Sequence, residues 1–252
     1  MLWRAAAVGA AIFLIPAANA QDGTLTLGGG LHYSQGDYGT NETTKIPTLA
    51  FTGRYDLDPW TFRVTLPFLY VSGGETVVPG IGAVGRSRGS DSASGVGDLT
   101  GSATYNALYD AATQMGIDLT AKVKLGTADR AEGLGTGEND FSFGAEVYKT
   151  IERMTVFGAL GYTLFGDPPG FQLHNGFYYS LGASWKLPPR ENIGLSLDGR
   201  QEIAPGTGPQ RELVGFWSRN LEAAWKLQAY FLVGLADASP DWGGGLTLAR
   251  PF

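Results

Sequence analysis

Two histidines, His32 and His174, are the whole imidazole inventory of this 252-residue chain, and it contains no cysteine. That narrows the available chemistry at once. A serine nucleophile needs a histidine within hydrogen-bond reach, and a lipid-cleaving site would need the pair on a lipid-facing surface. Both histidines instead fall on the polar parity of their segments. Without cysteine there are no disulfides and no thiolate metal sites, and two distant histidines do not make a ligand cluster. The glycine clusters "GLGTG" (133–137) and "GTGP" (206–209) lie in loops with no helix pattern after them, so they do not read as nucleotide-binding turns. No enzymatic activity, cofactor or metal is expected.

What is left is charge and aromatic rings. Arg54, Arg63, Asp118, Lys122, Lys124, Glu146, His174, Tyr178, Asp198, Arg200 and Lys226 share the polar parity of long alternating segments, as do His32, Asp56 and Asp98. Side chains of both signs in a lumen can do one of two things. They can line a polar pathway and set its field for a passing solute, or they can pair with one another and fill the interior as a plug. Aromatic residues also occur on this parity, at Tyr148, Phe157, Tyr178 and Tyr230. They form a greasy path for an aromatic or acyl substrate in the first case and packing filler in the second. A long loop near 73–96 carries Arg86 and Arg88. It would fold inward as a constriction or, by default, stay a flexible surface loop.

These residues need strands to position them. In "QMGIDLTAKVKLG" the apolar set Met115, Ile117, Leu119, Ala121, Val123 and Leu125 alternates with Gln114, Asp118, Thr120, Lys122 and Lys124. "NIGLSLDGRQEI" and "TLAFTGRYDL" repeat the period of two, which is strand alternation rather than the 3.6 period of a helix. Sandwich strands average about 5–6 residues, whereas here the alternation runs for ten or more, as a tilted membrane strand requires. Twelve such segments are predicted: 23–35, 46–57, 59–72, 97–109, 113–126, 139–149, 153–166, 171–187, 191–203, 211–221, 225–237 and 241–252. The tenth, "ELVGFWSRNL", carries apolar residues on both parities. Short connections such as "DLDPW" and "KTIER" alternate with long ones such as "TADRAEGLGTGEN", the pattern of periplasmic turns and extracellular loops. The expected fold is therefore all-β, a transmembrane antiparallel up-and-down barrel of about 12 strands.

Bulk properties agree with an exported barrel. "MLWR", the apolar run "AAAVGAAIFLIP" and Ala18-Asn19-Ala20 read as a signal peptide over residues 1–20, leaving residues 21–252 as the barrel. The net charge of −6 argues against a nucleic-acid partner. In the final segment, Trp242, Leu246, Leu248 and Phe252 share one parity. A tilted strand separates its two aromatic ends by roughly 23 Å along the membrane normal, against an apolar band about 25 Å tall. Open edges in hydrocarbon leave backbone groups unpaired, so this strand should pair with the first, its small inward residues meeting Gly28 and Gly30.

At "SGVGDLTGSATYN" (94–106) and "VGLADASPDWGGGLTLARPF" (233–252) the chain resembles the outer-membrane family of the MetA pathway of phenol degradation. That resemblance rests on a Gly-x-Gly-Asp opening to a strand and a Ser-Pro-Asp-Trp-Gly hairpin before the last one. It implies an outer-membrane transporter. The final Phe252 also resembles the signal read by the barrel-assembly machinery during biogenesis, although Arg250 stands where such signals usually have an aromatic residue. The expected function is passive passage of small, hydrophobic or aromatic solutes across the bacterial outer membrane. The alternative is a non-transporting structural or partner-binding barrel with a plugged lumen.

Overall fold

The computed structural model describes residues 23–73, 77–83, 91–170 and 172–252. The expected signal peptide, and Arg86 and Arg88, lie outside the described residues. Twelve long strands form the wall: β1 (Thr24–Gly36), β2 (Thr44–Leu57), β3 (Trp60–Ser72), β7 (Leu99–Asp110), β8 (Met115–Leu125), β9 (Asp140–Ile151), β10 (Met154–Leu164), β11 (Gly176–Leu187), β12 (Glu191–Arg200), β13 (Gln210–Asn220), β14 (Lys226–Gly234) and β15 (Trp242–Pro251). Between β3 and β7 lie a two-residue hairpin, β4 (Val77–Val78) with β5 (Gly82–Ala83), and the short strand β6 (Ser92–Val96). A 3-10 turn over Glu222–Ala224 precedes β14.

Every neighbouring pair is antiparallel, and β1 pairs with both β2 and β15, so the sheet closes. In the closing seam Gly28 faces Ala249 and Gly30 faces Thr247. The Phe252 N–H reaches the Leu25 carbonyl at 2.7 Å, carrying the ladder to the last residue. Closure pairs each of the twelve wall strands on both sides, the condition for strands in hydrocarbon, and of this sheet only the short β6 pairs on one side, with β3.

The alternation in sequence becomes an inside and an outside. Leu31, Phe51, Phe143, Leu160, Leu181, Phe231 and Leu246 are among the most exposed large hydrophobic side chains of the described residues. In water such a surface would aggregate; in a bilayer it is the lipid face. Trp242 and Phe252 both lie on it, as do Trp60 and Tyr70. Trp242 packs beside Tyr33 and Phe231, with ring centroids 5.1 and 6.2 Å away, and so forms part of the aromatic girdle expected at the interface. On the opposite face hydroxyls pair between strands: Thr104 with Thr120, Ser142 with Thr163 and Thr150 with Thr155, each at 2.9 Å.

The short connections sit at the end that holds both ends of the wall. In the β7–β8 turn the Asp110 carboxylate accepts from the Ala112 amide at 2.9 Å and the Thr113 hydroxyl at 2.7 Å. Such side-chain bonds stabilise a tight reversal. One register shift interrupts β7 against β8, between Asn106 and Leu108. The bulge keeps Asn106 inward while returning Leu108 to the lipid face, where it is exposed.

Candidate functional site: the lumen and its extracellular mouth

The lumen charges sit on rows that the ladder registers fix. Arg54 of β2 stands directly across from Arg63 of β3. Like charges opposite one another cost stability, and part of that is offset within β2: Arg54 contacts Asp56 at 2.6 Å, and Thr61 donates to the same carboxylate at 2.8 Å. Lys226 opens β14 at the periplasmic end, beside Ala249 in the ladder. Further round the wall, Asn106, Asp118 and Glu146 are successive cross-strand neighbours. The Asn106 amide donates to Asp118 at 2.7 Å and reaches the Tyr148 hydroxyl at 3.4 Å. The Arg54–Arg63 pair and the Asp118–Glu146 pair thus occupy different sectors of one wall. Lys122 stands between Ser102 and Ser142 in the ladder. Asp198 faces Glu212 across β12 and β13 and accepts from Ser196 at 3.3 Å; all three are buried.

Aromatic residues form the second component of the lining. Tyr148, Phe157, Val214, Phe216 and Leu232 make one buried cluster, with Tyr230 packed against it. Rings of this size fit because glycines lie beneath them. A Cβ at Gly182 would meet Phe157 at 2.5 Å, one at Gly194 would meet Phe216 at 2.2 Å, and one at Gly161 would meet Tyr178 at 2.1 Å. His32 joins the edge of this patch, its Nδ1 3.2 Å from the Tyr230 hydroxyl.

The extracellular mouth is occupied by its loops. Lys124 is buried, 3.0 Å from Asp98 and 3.1 Å from Asp140, and it donates to Thr136 at 2.9 Å. Asp98 also accepts from the Ala128 amide at 3.0 Å, and Asp140 from the Gly166 amide at 3.1 Å. One lysine therefore ties the start of β7, the 126–139 loop and the 165–175 loop. Tyr38, in the loop after β1, is buried beside Ser34 at 3.1 Å, and burial pushes its phenol well above the ordinary range. Within the long loop, the segment 77–83 is not free at the surface: Val77 is fully buried, and Val78 and Ile81 are buried as well. The default expectation of a flexible surface loop is corrected for this segment. Its apolar residues find partners on several other loops.

A family model described as "Putative MetA-pathway of phenol degradation" matches residues 17–249. The chain belongs to this family. It is an outer-membrane barrel. No curated protein matches it in sequence. Among solved structures it is similar to the KdgM porin, with a TM-score of 0.54 and 8% identity over 88% of this chain and 99% of that one. It is similar also to the translocator domain of the autotransporter NalP from Neisseria meningitidis, with a TM-score of 0.59 and 14% identity over 99% of this chain and 94% of that one. At such identities the likeness speaks for the fold alone.

The two motifs of this family member have structural roles. In the Gly-x-Gly-Asp motif, Gly97 closes against Pro67, its N–H 2.8 Å from the Pro67 carbonyl, and a Cβ there would meet the Leu69 and Pro67 side chains. That break between β6 and β7 lets Asp98 turn to Lys124. In the Ser-Pro-Asp-Trp-Gly motif, the Ser239 hydroxyl bonds both the N–H and the C=O of Arg211 at 2.9 Å. The last hairpin is thereby fastened to β13, and Trp242 enters the girdle.

Several residues stand differently from the parity reading. His174 is not in a strand: β11 begins at Gly176, and His174 lies exposed in the preceding loop. Pro168, Pro169 and Gly170 keep that segment from extending the ladder. Lys124 is held by carboxylates at the rim, and Arg200 grips a loop. Asn106, Glu212, Val214 and Phe216 were missed. The one sequence signal for the last two was the apolar character of both parities in β13: Leu213 and Trp217 face lipid while Val214 and Phe216 face in. The letters Gly85-Arg86-Ser87-Arg88-Gly89 fit a nucleophile-elbow pattern, but they lie outside the described residues. Among the described residues no group of three His, Asp or Glu side chains is placed to hold a metal.

Proposed function

We propose that this barrel is a passive outer-membrane channel for small hydrophobic or aromatic molecules, with no catalytic step. The observation that carries this reading is the composite lining. A patch of inward aromatic and aliphatic side chains on β9, β10, β13 and β14 shares the lumen with charged sectors on β2, β3, β8 and β9. The packed apolar patch would admit a ring as its side chains part, while the charged sectors would keep polar substituents solvated. Membership in a family described by phenol degradation supports a solute of that kind. The pathway we assign comprises Arg54, Arg63, Asp118, Lys122, Glu146, Tyr178, Asp198 and Lys226 along the wall, with Lys124 and Arg200 shaping its mouth. The barrel-assembly machinery is the partner we propose for its insertion.

Purified protein in planar bilayers should give stable ion conductance, and in liposomes it should accelerate uptake of small aromatic solutes over protein-free vesicles. Absence of both, in the wild type and again after deletion of residues 77–83, would remove the channel reading. The second reading, a closed barrel that binds a partner through its loops, is favoured by one observation, the burial of residues 77–83 at the mouth. Under that reading conductance is absent even when the mouth is cleared.

A further inference from the structure

The hairpin β4–β5 has apolar side chains on both faces and buries both. Successive residues of a strand point to opposite sides. Val77, fully buried, joins one cluster with Tyr38 of the first loop and Ala128 and Leu134 of the loop before β9. Val78, with Ile81, joins a different cluster with Leu173, Ile203 and Ala204, against which Phe165 packs. A loop lying over the rim would show one face to water. This one is held between loops from two sides of the barrel, which places it across the opening.

The hairpin is also gripped from the wall. Arg200, the last residue of β12, donates through Nη1 to the Gly80 carbonyl at 3.0 Å and through Nη2 to the Ile81 carbonyl at 2.8 Å. The two acceptors are consecutive carbonyls of the hairpin turn, which the Ile81 N–H closes onto the Val78 carbonyl at 3.1 Å. Gly80 has φ 80°, a left-handed conformation that glycine adopts without strain. A planar guanidinium suits two parallel acceptors, whereas an ammonium does not match that fork. Arg200 comes from a rigid strand, and its guanidinium lies 6.0 Å from the Phe165 ring centroid.

We infer that the β4–β5 hairpin is the extracellular constriction that sets the size limit of the pathway, and that Arg200 is the residue positioning it. This rests on the channel reading above. Solute must pass beside the hairpin, so the passable cross-section depends on how firmly the turn is held. Loosening the grip widens the opening, and removing the hairpin widens it further.

The test uses the full chain, exported and purified from outer membranes, with barrel folding of each variant checked by heat-modifiable gel migration. Bilayer conductance and liposome swelling in uncharged sugars, from a pentose to a trisaccharide, are compared for wild type, Arg200→Ala, Arg200→Lys and a deletion of residues 77–83. Arg200→Ala should raise conductance roughly two-fold or more and admit larger sugars. Arg200→Lys, which keeps the charge and loses the fork, should fall between wild type and Arg200→Ala, and the deletion should exceed both. A silent wild type opened by the deletion also supports the hairpin as the barrier. A conducting wild type matched by the deletion in conductance and sugar cut-off overturns the inference and leaves the channel reading standing. If Arg200→Ala changes only the anion-to-cation ratio, and Arg200→Lys restores it, Arg200 acts as a charge and not as a positioning group. Silence of both wild type and deletion overturns the channel reading itself, and the inference with it.

Discussion

Lys124 ties together the start of β7 and two of the extracellular loops. Its ammonium lies between two carboxylates that are themselves buried, and the second oxygen of each carboxylate accepts a loop amide. Removing one partner of a buried pair leaves charge without compensation, which costs about 3–5 kcal/mol. Lys124→Met should therefore lower unfolding stability by about that amount and speed hydrogen exchange at the Ala128 and Gly166 amides. Adding Asp98→Asn and Asp140→Asn should recover part of the loss. Unchanged exchange at those two amides would show that the loops are held by other contacts. The sequence placed Lys124 on the lumen parity but gave no sign of this role. Its partners lie 26 and 16 positions away in sequence, and nothing in their spacing links them.

At the scale of the strand, the two faces answer to different solvents. Leu181, in the middle of β11, is 64% exposed on the lipid face. Leu181→Arg should destabilise the barrel by about 2–4 kcal/mol, the cost of a cation at the bilayer midplane. Measured in lipid vesicles, a cost near zero would mean that this face does not meet hydrocarbon. Inward, steric fit governs instead. Gly194→Val places a branched side chain against Phe216 and against the Ala183 carbonyl, 2.8 Å from the new Cβ. The expected result is slowed or failed folding in the same assay, relieved by Phe216→Ala. Most strand boundaries were legible because alternation, turn residues and girdle aromatics all agree locally. The bulge between Asn106 and Leu108 was not, since the slip follows from keeping both neighbouring ladders in register.

For the whole molecule the question is whether the charged sectors act on a passing ion. Arg54 and Arg63 stand side by side while Asp118 and Glu146 occupy another part of the wall. With an open lumen, the double variant Arg54→Ala, Arg63→Ala should shift reversal potentials toward cation preference, with conductance changed by no more than about two-fold. A many-fold rise in conductance would instead mean that the arginines were part of a plug. The experiment is done in salt gradients across a planar bilayer and compared with Arg200→Ala, which is expected to act on cross-section rather than on selectivity.

The sequence by itself determined the barrel: twelve strands, the face that meets lipid, the end that carries the loops and the pairing of first with last. Each of these follows from a period of two and from turn chemistry, which are local properties read along the chain. Only the tertiary structure decided what fills the interior and the mouth. Lys124 became a tie between loops, Arg200 a grip on residues 80–81, His174 an exposed loop residue, and Val214 and Phe216 part of an inner apolar patch. Parity can say that a side chain points inward, but not what it meets there. That is set by strands brought together round the ring and by loops that have no periodicity to read.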